Sequence, residues 1–257
     1  LEASGITADQ VDTVIVATST HLELTPQAAA KVAHGLGTKG PAAFDICAGC
    51  AGFCYSLAVA SDLVKAGTSK YVLVIGAEQL SVTTDPYDRT TRFIFADGAG
   101  AVVIGPSETS GIGPVVWGSD GEHFDYIRQR EDWQGVLSAE QPGGHFITMQ
   151  GSAVFRWASF SMAKVGLEAL DRSGISVDDL DCFVPHQANM RITDAMIRTL
   201  GLPSHVPVAR DIATTGNTSA ASIPLAMDRM ISAGEVPSGG LALIIGLALV
   251  NIQTLFF

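Results

Sequence analysis

The 257 residues are 47% hydrophobic and 16% charged, with 27 glycines, the composition of a well-buried α/β globular chain and not of a disordered one. A net charge of −11 excludes a general nucleic-acid binder, and an acidic partner requires a local basic patch. Four cysteines, three of them crowded at Cys47, Cys50 and Cys54, make no disulfide framework and point to a reducing, cytoplasmic setting.

Taken in chain order, Leu1–Gly5 reads as the tail of a helix whose start precedes Leu1, with no signal-peptide pattern. The β-branched run Thr13–Ala17 predicts a buried strand. Phe44-Asp45-Ile46 ends an apolar run and leads through small residues to Cys50. A helix is predicted from Ala51 to Lys65, with Phe53, Cys54, Leu57, Ala60 and Val64 on its apolar pattern and Gly67 as its stop. Tyr71–Gly76 is the next strand. Asp97-Gly98-Ala99-Gly100-Ala101 is glycine-rich, but a strand and not a helix follows at Val102–Ile104. It therefore reads as a tight turn near the site and not as a dinucleotide fingerprint. The stretch 105–150 is rich in Gly and Pro and holds Trp117, His123, Arg128, Arg130 and Trp133, which reads as an insert of binding loops. Cys182–Pro185 is a strand that ends at His186. Leu241–Val250 is apolar apart from Gly246, shorter than the about 20 residues a spanning helix needs, and reads as a buried strand.

The elements repeat. Gly5-Ile6-Thr7 before the first strand is echoed by Gly174-Ile175-Ser176 before Cys182–Pro185. Asp45-Ile46 before Gly49-Cys50 is echoed by Asp211-Ile212 before Gly216-Asn217, and Tyr71–Gly76 by Leu241–Gly246. The blocks keep their order at offsets of about 170 positions, which marks a duplicated β-α-β unit with mostly parallel sheets covered by helices. The expected division is an N-terminal half over 1–105, an insert over 106–150 and a C-terminal half over 151–257. A pseudo-twofold would bring the starts of the two central helices, Cys50 and Asn217, toward one place.

Cys50 is the candidate nucleophile. A thiol in the first turn of a helix meets unpaired N–H groups and the positive end of the helix dipole, which lowers its pKa. Asn217 is either a helix cap or an amide donor facing Cys50. His186 follows a strand at its carboxyl end, where α/β sites form, and can donate to an oxyanion or move a proton. His21, His34, His123, His145 and His205 share no metal-ligand spacing. Cys47 and Cys50 form a C-x-x-C, but no second pair exists to complete a zinc site. Cys47, Cys54 and Cys182 read as small core residues.

Cys-Ala-Gly-Phe at Cys50–Phe53, Pro-His-Gln-Ala-Asn at Pro185–Asn189 and Gly-Asn-Thr-Ser-Ala-Ala-Ser at Gly216–Ser222 resemble the thiolase-superfamily condensing enzymes, and among them the β-ketoacyl-acyl carrier protein synthase III family. Asp125–Arg128 and Phe155–Trp157 resemble its actinobacterial branch. The resemblance implies an α/β fold of thiolase-like duplicated α-β-α-β-α layers with two pseudo-twofold related halves. It implies a decarboxylating condensation of an acyl-coenzyme A with malonyl-acyl carrier protein through an acyl-Cys50 intermediate, with His186 and Asn217 as enolate-stabilising donors. Gln187, Ala188, Asn189 and Arg191 match the family's carrier-protein loop, Arg191 supplying the local basic patch. Gly151 and Phe155 match the segment near the pantetheine arm, where Ser152 replaces the usual asparagine. Thr25, before Pro26, matches a pocket position contributed across a dimer interface. The implied assembly is a homodimer with no metal, no cofactor, no nucleic acid and no membrane; acyl-coenzyme A and acyl carrier protein are substrate and partner.

Two departures stand against the family pattern. Its opening strand-helix unit does not precede Leu1, and Gly246-Leu247-Ala248-Leu249-Val250 replaces a Gly-Phe-Gly-x-Gly loop. The tail Ile252–Phe257 also lacks the usual final strand pattern. The alternatives are an acyltransferase of secondary metabolism on the same Cys-His-Asn set, a catalytically impaired dimer partner, and a thiol hydrolase.

Overall fold

The computed structural model describes residues 1–109, 111–138, 145–248 and 251–256. The strand β1 (Thr13–Ala17) is buried at every position, as its continuous β-branched run requires of a strand covered on both faces. The parallel strands β2 (Ala42–Ile46) and β3 (Val72–Gln79) flank it, and β4 (Asp97–Ile104) pairs antiparallel with β3, in the order β2-β1-β3-β4. Alternate residues of β1 face opposite layers. Val14 and Val16 meet Ala29 and Ala33 of α1 (Ala28–Gly35), while Ile15 packs with Phe53, Leu57 and Ala60 of α2 (Gly52–Lys65). Asp45 caps α1 from across the sheet, its carboxylate accepting from Ala28 N–H and Ala29 N–H at 2.8 Å each.

The glycine-rich Asp97–Ala101 is a strand and not the expected turn. Its glycines serve close packing: a Cβ on Gly98 would lie 2.9 Å from Leu225 Cδ1, and one on Gly100 2.9 Å from Pro224 Cβ. The sheet is bare there because the helix that follows Asn217 lies directly on it.

The middle of the chain contributes β5 (Val116–Gly118), the antiparallel pair β6 (Ile127–Gln129) and β7 (Ile147–Met149), and the short helix α3 (Trp133–Ser138). The long helix α4 (Gly151–Ser173) closes on Gly174 in the left-handed conformation, φ 66°. There follow β8 (Cys182–Pro185), α5 (Met190–Leu200), α6 (Ile212–Thr215), α7 (Ser222–Ser232), β9 (Ala242–Ala248) and β10 (Asn251–Phe256).

The second sheet has the order β5-β10-β9-β8, with β8 and β9 parallel and β10 antiparallel to β9. Phe183 of β8 also bridges Val208 on the far side. The sequence Val208-β8-β9-β10 thus reproduces β2-β1-β3-β4. The tail, which lacked a strand pattern, is a strand, and β9 runs extended through Ala248, within the stretch read as a buried strand and in place of the family's glycine loop. Leu249 and Val250 lie outside the described residues.

One core joins the two sheets. Ile15, Val72 and Val74 pack with Cys182, Val184 and Ile244 through Phe53 and Leu57 of α2 and Ile223, Ala226 and Met230 of α7. The two central helices therefore form a layer shared by both halves. No helix among the described residues is long and apolar enough to cross a membrane.

Candidate active site

The starts of α2 and α7 meet. A single turn of 3-10 helix, Gly49–Ala51, precedes α2, and a second, Ser219–Ala221, precedes α7. The two turns pack against each other and the first also against β9. Contact with β9 is close: a Cβ on Gly246 would lie 2.9 Å from Cys54 Sγ and 3.2 Å from Ala51 Cα. Around this junction lies a cavity of about 870 Å³ lined by Cys50, His186 and Asn217 together. Leu80, Phe95, Ile147, Met149 and Leu247 line it as well, and Arg156 and Arg191 stand at its lip.

His186 follows β8 and is 3% exposed. Its backbone N–H donates to Ile245 at 2.8 Å, extending the parallel ladder. Its Nδ1 lies 2.7 Å from Ser222 Oγ. Gln187 N–H donates to the same oxygen at 3.3 Å, and Nδ1 is the acceptor within reach of the Ser222 hydroxyl proton. This pattern assigns the imidazole proton to Nε2. Burial pushes the His186 pKa down to about 3. The ring is therefore neutral near pH 7 and a hydrogen-bond donor through Nε2.

Asn217 is buried and its backbone is fixed at both ends: its N–H donates to Ile94 at 2.8 Å and its carbonyl accepts from Ala96 N–H at 2.9 Å. Its Oδ1 accepts from Ser219 N–H at 2.8 Å. The oxygen being used within the turn, the amide hydrogens on Nδ2 are what the side chain offers a ligand. Asn217 is thus both a cap and a donor.

Cys50 does not have the lowered pKa that its place at a helix start predicted. Burial pushes the thiol up to about 12; a hydrogen bond from Ser219 lowers it, and the charge of Glu78 raises it further. Desolvation outweighs the dipole because the opposite half of the chain closes over the turn. Cys54 is pushed up to about 12 by burial as well. Cys47, expected in the core, is exposed and lines the cavity, since the strand that carries Asp45 into the sheet ends one residue before it.

The other expected residues divide. Gly151, Phe155, Ala188, Asn189 and Arg191 all line the cavity, as does Ser152. The Arg191 guanidinium lies over the Phe155 ring, 5.2 Å from its centroid. Asn189 caps α5, its side chain accepting from Arg191 N–H at 2.9 Å. Gln187 turns inward. It is fully buried, donating to Pro185 and Ala209 carbonyls at 2.7 and 3.2 Å and accepting from Ile212 N–H at 3.0 Å. Its amide is hydrogen-bonded to backbone on both sides and ties down the His186 loop. Thr25 is exposed on a loop away from the cavity of its own chain. Two functional neighbours escaped the sequence reading. Ser222 stood inside a motif with no role of its own, and Glu78 ends a strand whose apolar run drew the attention. Among the described residues no group of three or more His, Cys, Asp and Glu side chains is placed to hold a metal.

Two family models match the chain: 3-oxoacyl-[acyl-carrier-protein] synthase III over residues 44–121 and its C-terminal part over residues 170–249. The β-ketoacyl-[acyl-carrier-protein] synthase III of Streptomyces glaucescens is 55% identical over 95% of this chain and 73% of its own length. The mycobacterial enzyme of the same name from Mycobacterium avium is 51% identical over 95% of this chain and 72% of its own. The crystal structure of the priming β-ketosynthase of the R1128 polyketide pathway superposes with a TM-score of 0.97, at 43% identity, over 100% of this chain and 77% of that one. The synthase III structure from Aquifex aeolicus does so with a TM-score of 0.90, at 36% identity, over 100% and 80%. The duplicated sheets and shared helical layer are the thiolase-like fold of these structures. The motifs around Cys50, His186 and Asn217, the fold and the actinobacterial relatives agree: this chain belongs to the 3-oxoacyl-[acyl-carrier-protein] synthase III family.

Proposed function

We propose that this chain is a condensing acyltransferase that joins an acyl-coenzyme A to malonyl-acyl carrier protein and so starts fatty acid elongation. The observation that carries this reading is the convergence of Cys50, His186 and the Asn217 amide on one cavity.

The chemistry follows from the residues. Cys50 sulfur attacks the thioester carbonyl, the bond from that carbonyl to the coenzyme A sulfur breaks, and the departing thiolate takes up the proton that Cys50 lost. Backbone N–H groups of the Gly49–Ala51 turn, that of Cys50 among them, face the tetrahedral oxyanion. Malonyl-acyl carrier protein then enters and loses carbon dioxide. The charge left on its thioester oxygen accepts hydrogen bonds from His186 Nε2–H and Asn217 Nδ2–H. The carbanion attacks the acyl-Cys50 carbonyl, the carbon–sulfur bond to Cys50 breaks, and a 3-ketoacyl carrier protein leaves. A neutral imidazole suits this step, because it donates a hydrogen bond to the enolate oxygen without giving up a proton that would quench the carbanion. Arg191 and Arg156 at the lip supply the basic patch for an acidic carrier protein, with Gly151, Phe155, Ala188 and Asn189 along the arm that it inserts.

A cytoplasmic homodimer completes the reading. Strand β2 lies at the edge of its sheet, and Leu22 and Leu24, beside Thr25, are 67% and 81% exposed. An open strand edge and exposed leucines both suit pairing with a second copy. Priming of polyketide synthesis is the second reading, favoured by the TM-score of 0.97 to a priming ketosynthase.

The test is intact mass after incubation with acyl-coenzyme A, beside Cys50→Ala. A gain of one acyl group that is absent in the variant, followed by malonate-dependent carbon dioxide release, is expected. No gain in the folded wild-type chain overturns the reading. Carrier proteins from fatty acid and polyketide synthesis, compared as second substrates, separate the two roles.

A further inference from the structure

Glu78 is a buried carboxylate beside the reacting sulfur to which the condensation assigns no part. It lies at the carboxyl end of β3 and is 5% exposed. Its Oε2 accepts from Ser19 N–H at 3.1 Å, Thr20 Oγ1–H at 2.7 Å and Thr18 Oγ1–H at 3.4 Å. Its Oε1 accepts from Ser19 Oγ–H at 3.0 Å and, across 141 positions of sequence, from Ser219 Oγ–H at 3.0 Å. The donors are all neutral and come from both halves of the chain. Ser19, Ser219, Asn217 and Cys50 line the same cavity.

Ser219 is the strained member. Among the described residues it is the non-glycine position with positive φ, at 49°. An L side chain holds that conformation only when its surroundings fix it. Two contacts do so: Asn217 Oδ1 takes its N–H and Glu78 Oε1 takes its hydroxyl. The first of these contacts is the one that turns the Asn217 amide hydrogens toward the cavity.

We propose that Glu78 is a positioning residue for condensation: by anchoring the Ser219 hydroxyl it locks the strained turn that aims the Asn217 amide. The proposal rests on Cys50 and Asn217 having the roles given above. The Ser219 hydroxyl carries one proton and has two acceptors in reach, the Glu78 carboxylate and the Cys50 sulfur. While Cys50 is a thiol or an acyl thioester, the Ser219 hydroxyl donates to Glu78. When Cys50 is the departing thiolate, the same hydroxyl can turn to it. Cys47, Glu78 and His186 are the other titratable groups around Cys50, with Arg156 and Arg191 at the lip.

The experiment uses the full chain and two readouts: malonyl-acyl carrier protein decarboxylation, and the pH profile of Cys50 alkylation by iodoacetamide followed by intact mass. Glu78→Gln keeps the size but loses one acceptor oxygen and the charge. It is expected to lower decarboxylation about tenfold, to change acylation by acyl-coenzyme A far less, and to move the alkylation profile to lower pH. Glu78→Asp keeps charge and acceptors and is expected to restore most of the decarboxylation and the wild-type profile. Ser219→Ala removes the tie while leaving Glu78 in place. It is expected to lower decarboxylation similarly but to move the alkylation profile the opposite way, to higher pH. Decarboxylation and profile both unchanged in Glu78→Gln overturn the proposal. So does an equal loss of acylation and decarboxylation with no shift in profile, which marks a structural prop. If Glu78→Gln does not fold, Ser219→Ala alone decides, by the same two readouts. Absence of acylation in the wild-type chain counts against the Cys50 reading, and the alkylation profile still tests Glu78.

Discussion

The entries to α2 and α7 are built alike and do different work. Each is a single 3-10 turn that passes directly into the α-helix, Gly52 N–H bonding Gly49 and Ser222 N–H bonding Ser219. The first turn presents a sulfur. The second presents no reactive atom of its own. It folds the preceding Asn217 side chain back onto its own backbone and lends Ser222 to His186. On the proposed function a duplicated scaffold is divided: the N-terminal copy would supply the nucleophile and the C-terminal copy the donors. Neither copy holds a complete site, and neither could be read as one alone.

The sharpest way to break this division is to lose one function and keep the other. Cys50→Ala is expected to abolish the acyl mass gain completely while leaving malonyl-acyl carrier protein decarboxylation measurable by carbon dioxide release. His186→Ala and Asn217→Ala are expected to do the converse. Each should still take up the acyl group, while decarboxylation falls by about 10²–10³, the usual loss for one donor to a developing oxyanion. If either donor variant also failed to acylate, the division of labour would be wrong.

A smaller lesion tests the tautomer. Ser222→Ala removes the hydroxyl that assigns the proton to Nε2. It is expected to lower condensation kcat by about tenfold, with little change in KM for acyl-coenzyme A. Steady-state rates at saturating malonyl-acyl carrier protein measure it.

The mildest contrast is in pH. His186 is held at about 3, below its ordinary 6.5, so the unfolded chain takes up a proton that the folded chain refuses. Its contribution to stability is therefore complete above about pH 6.5 and is lost as pH falls toward 3, by up to about 1.4 kcal/mol per pH unit. Cys50, pushed up to about 12 from 9.0, acts on the other flank: above pH 9 the unfolded thiol ionises first, and stability falls as pH rises. Denaturant midpoints of His186→Gln and Cys50→Ser against wild type are expected to flatten the acid and the alkaline limb respectively.

The sequence disclosed what is local or repeated. The β-branched runs, the helix start after Gly49 and the matching blocks singled out Cys50, His186 and Asn217, because Cys50 and His186 follow apolar strands where polarity changes abruptly and Asn217 opens the repeated helix. It concealed what depends on contacts between distant positions. Glu78 meets Ser219 across 141 positions and Asp45 caps a helix 16 and 17 positions upstream, and no window of sequence shows either. The Cys50 thiol was misjudged for the same reason, since the helix dipole is visible locally and the burial that overrides it is not. The run of glycines at Gly98 and Gly100 signalled a turn by composition, while its true cause is a neighbouring helix that leaves no room for a Cβ.

The shared layer of α2 and α7 has a consequence for how the molecule comes apart. Phe53 and Leu57 from one copy and Ile223 and Met230 from the other sit in a single apolar cluster with strands of both sheets. Opening either copy exposes the face of its twin, so partial unfolding finds no natural seam. Amide hydrogens of β1 and β8 should exchange with deuterium at matching rates, through one cooperative event, despite lying in separate sheets.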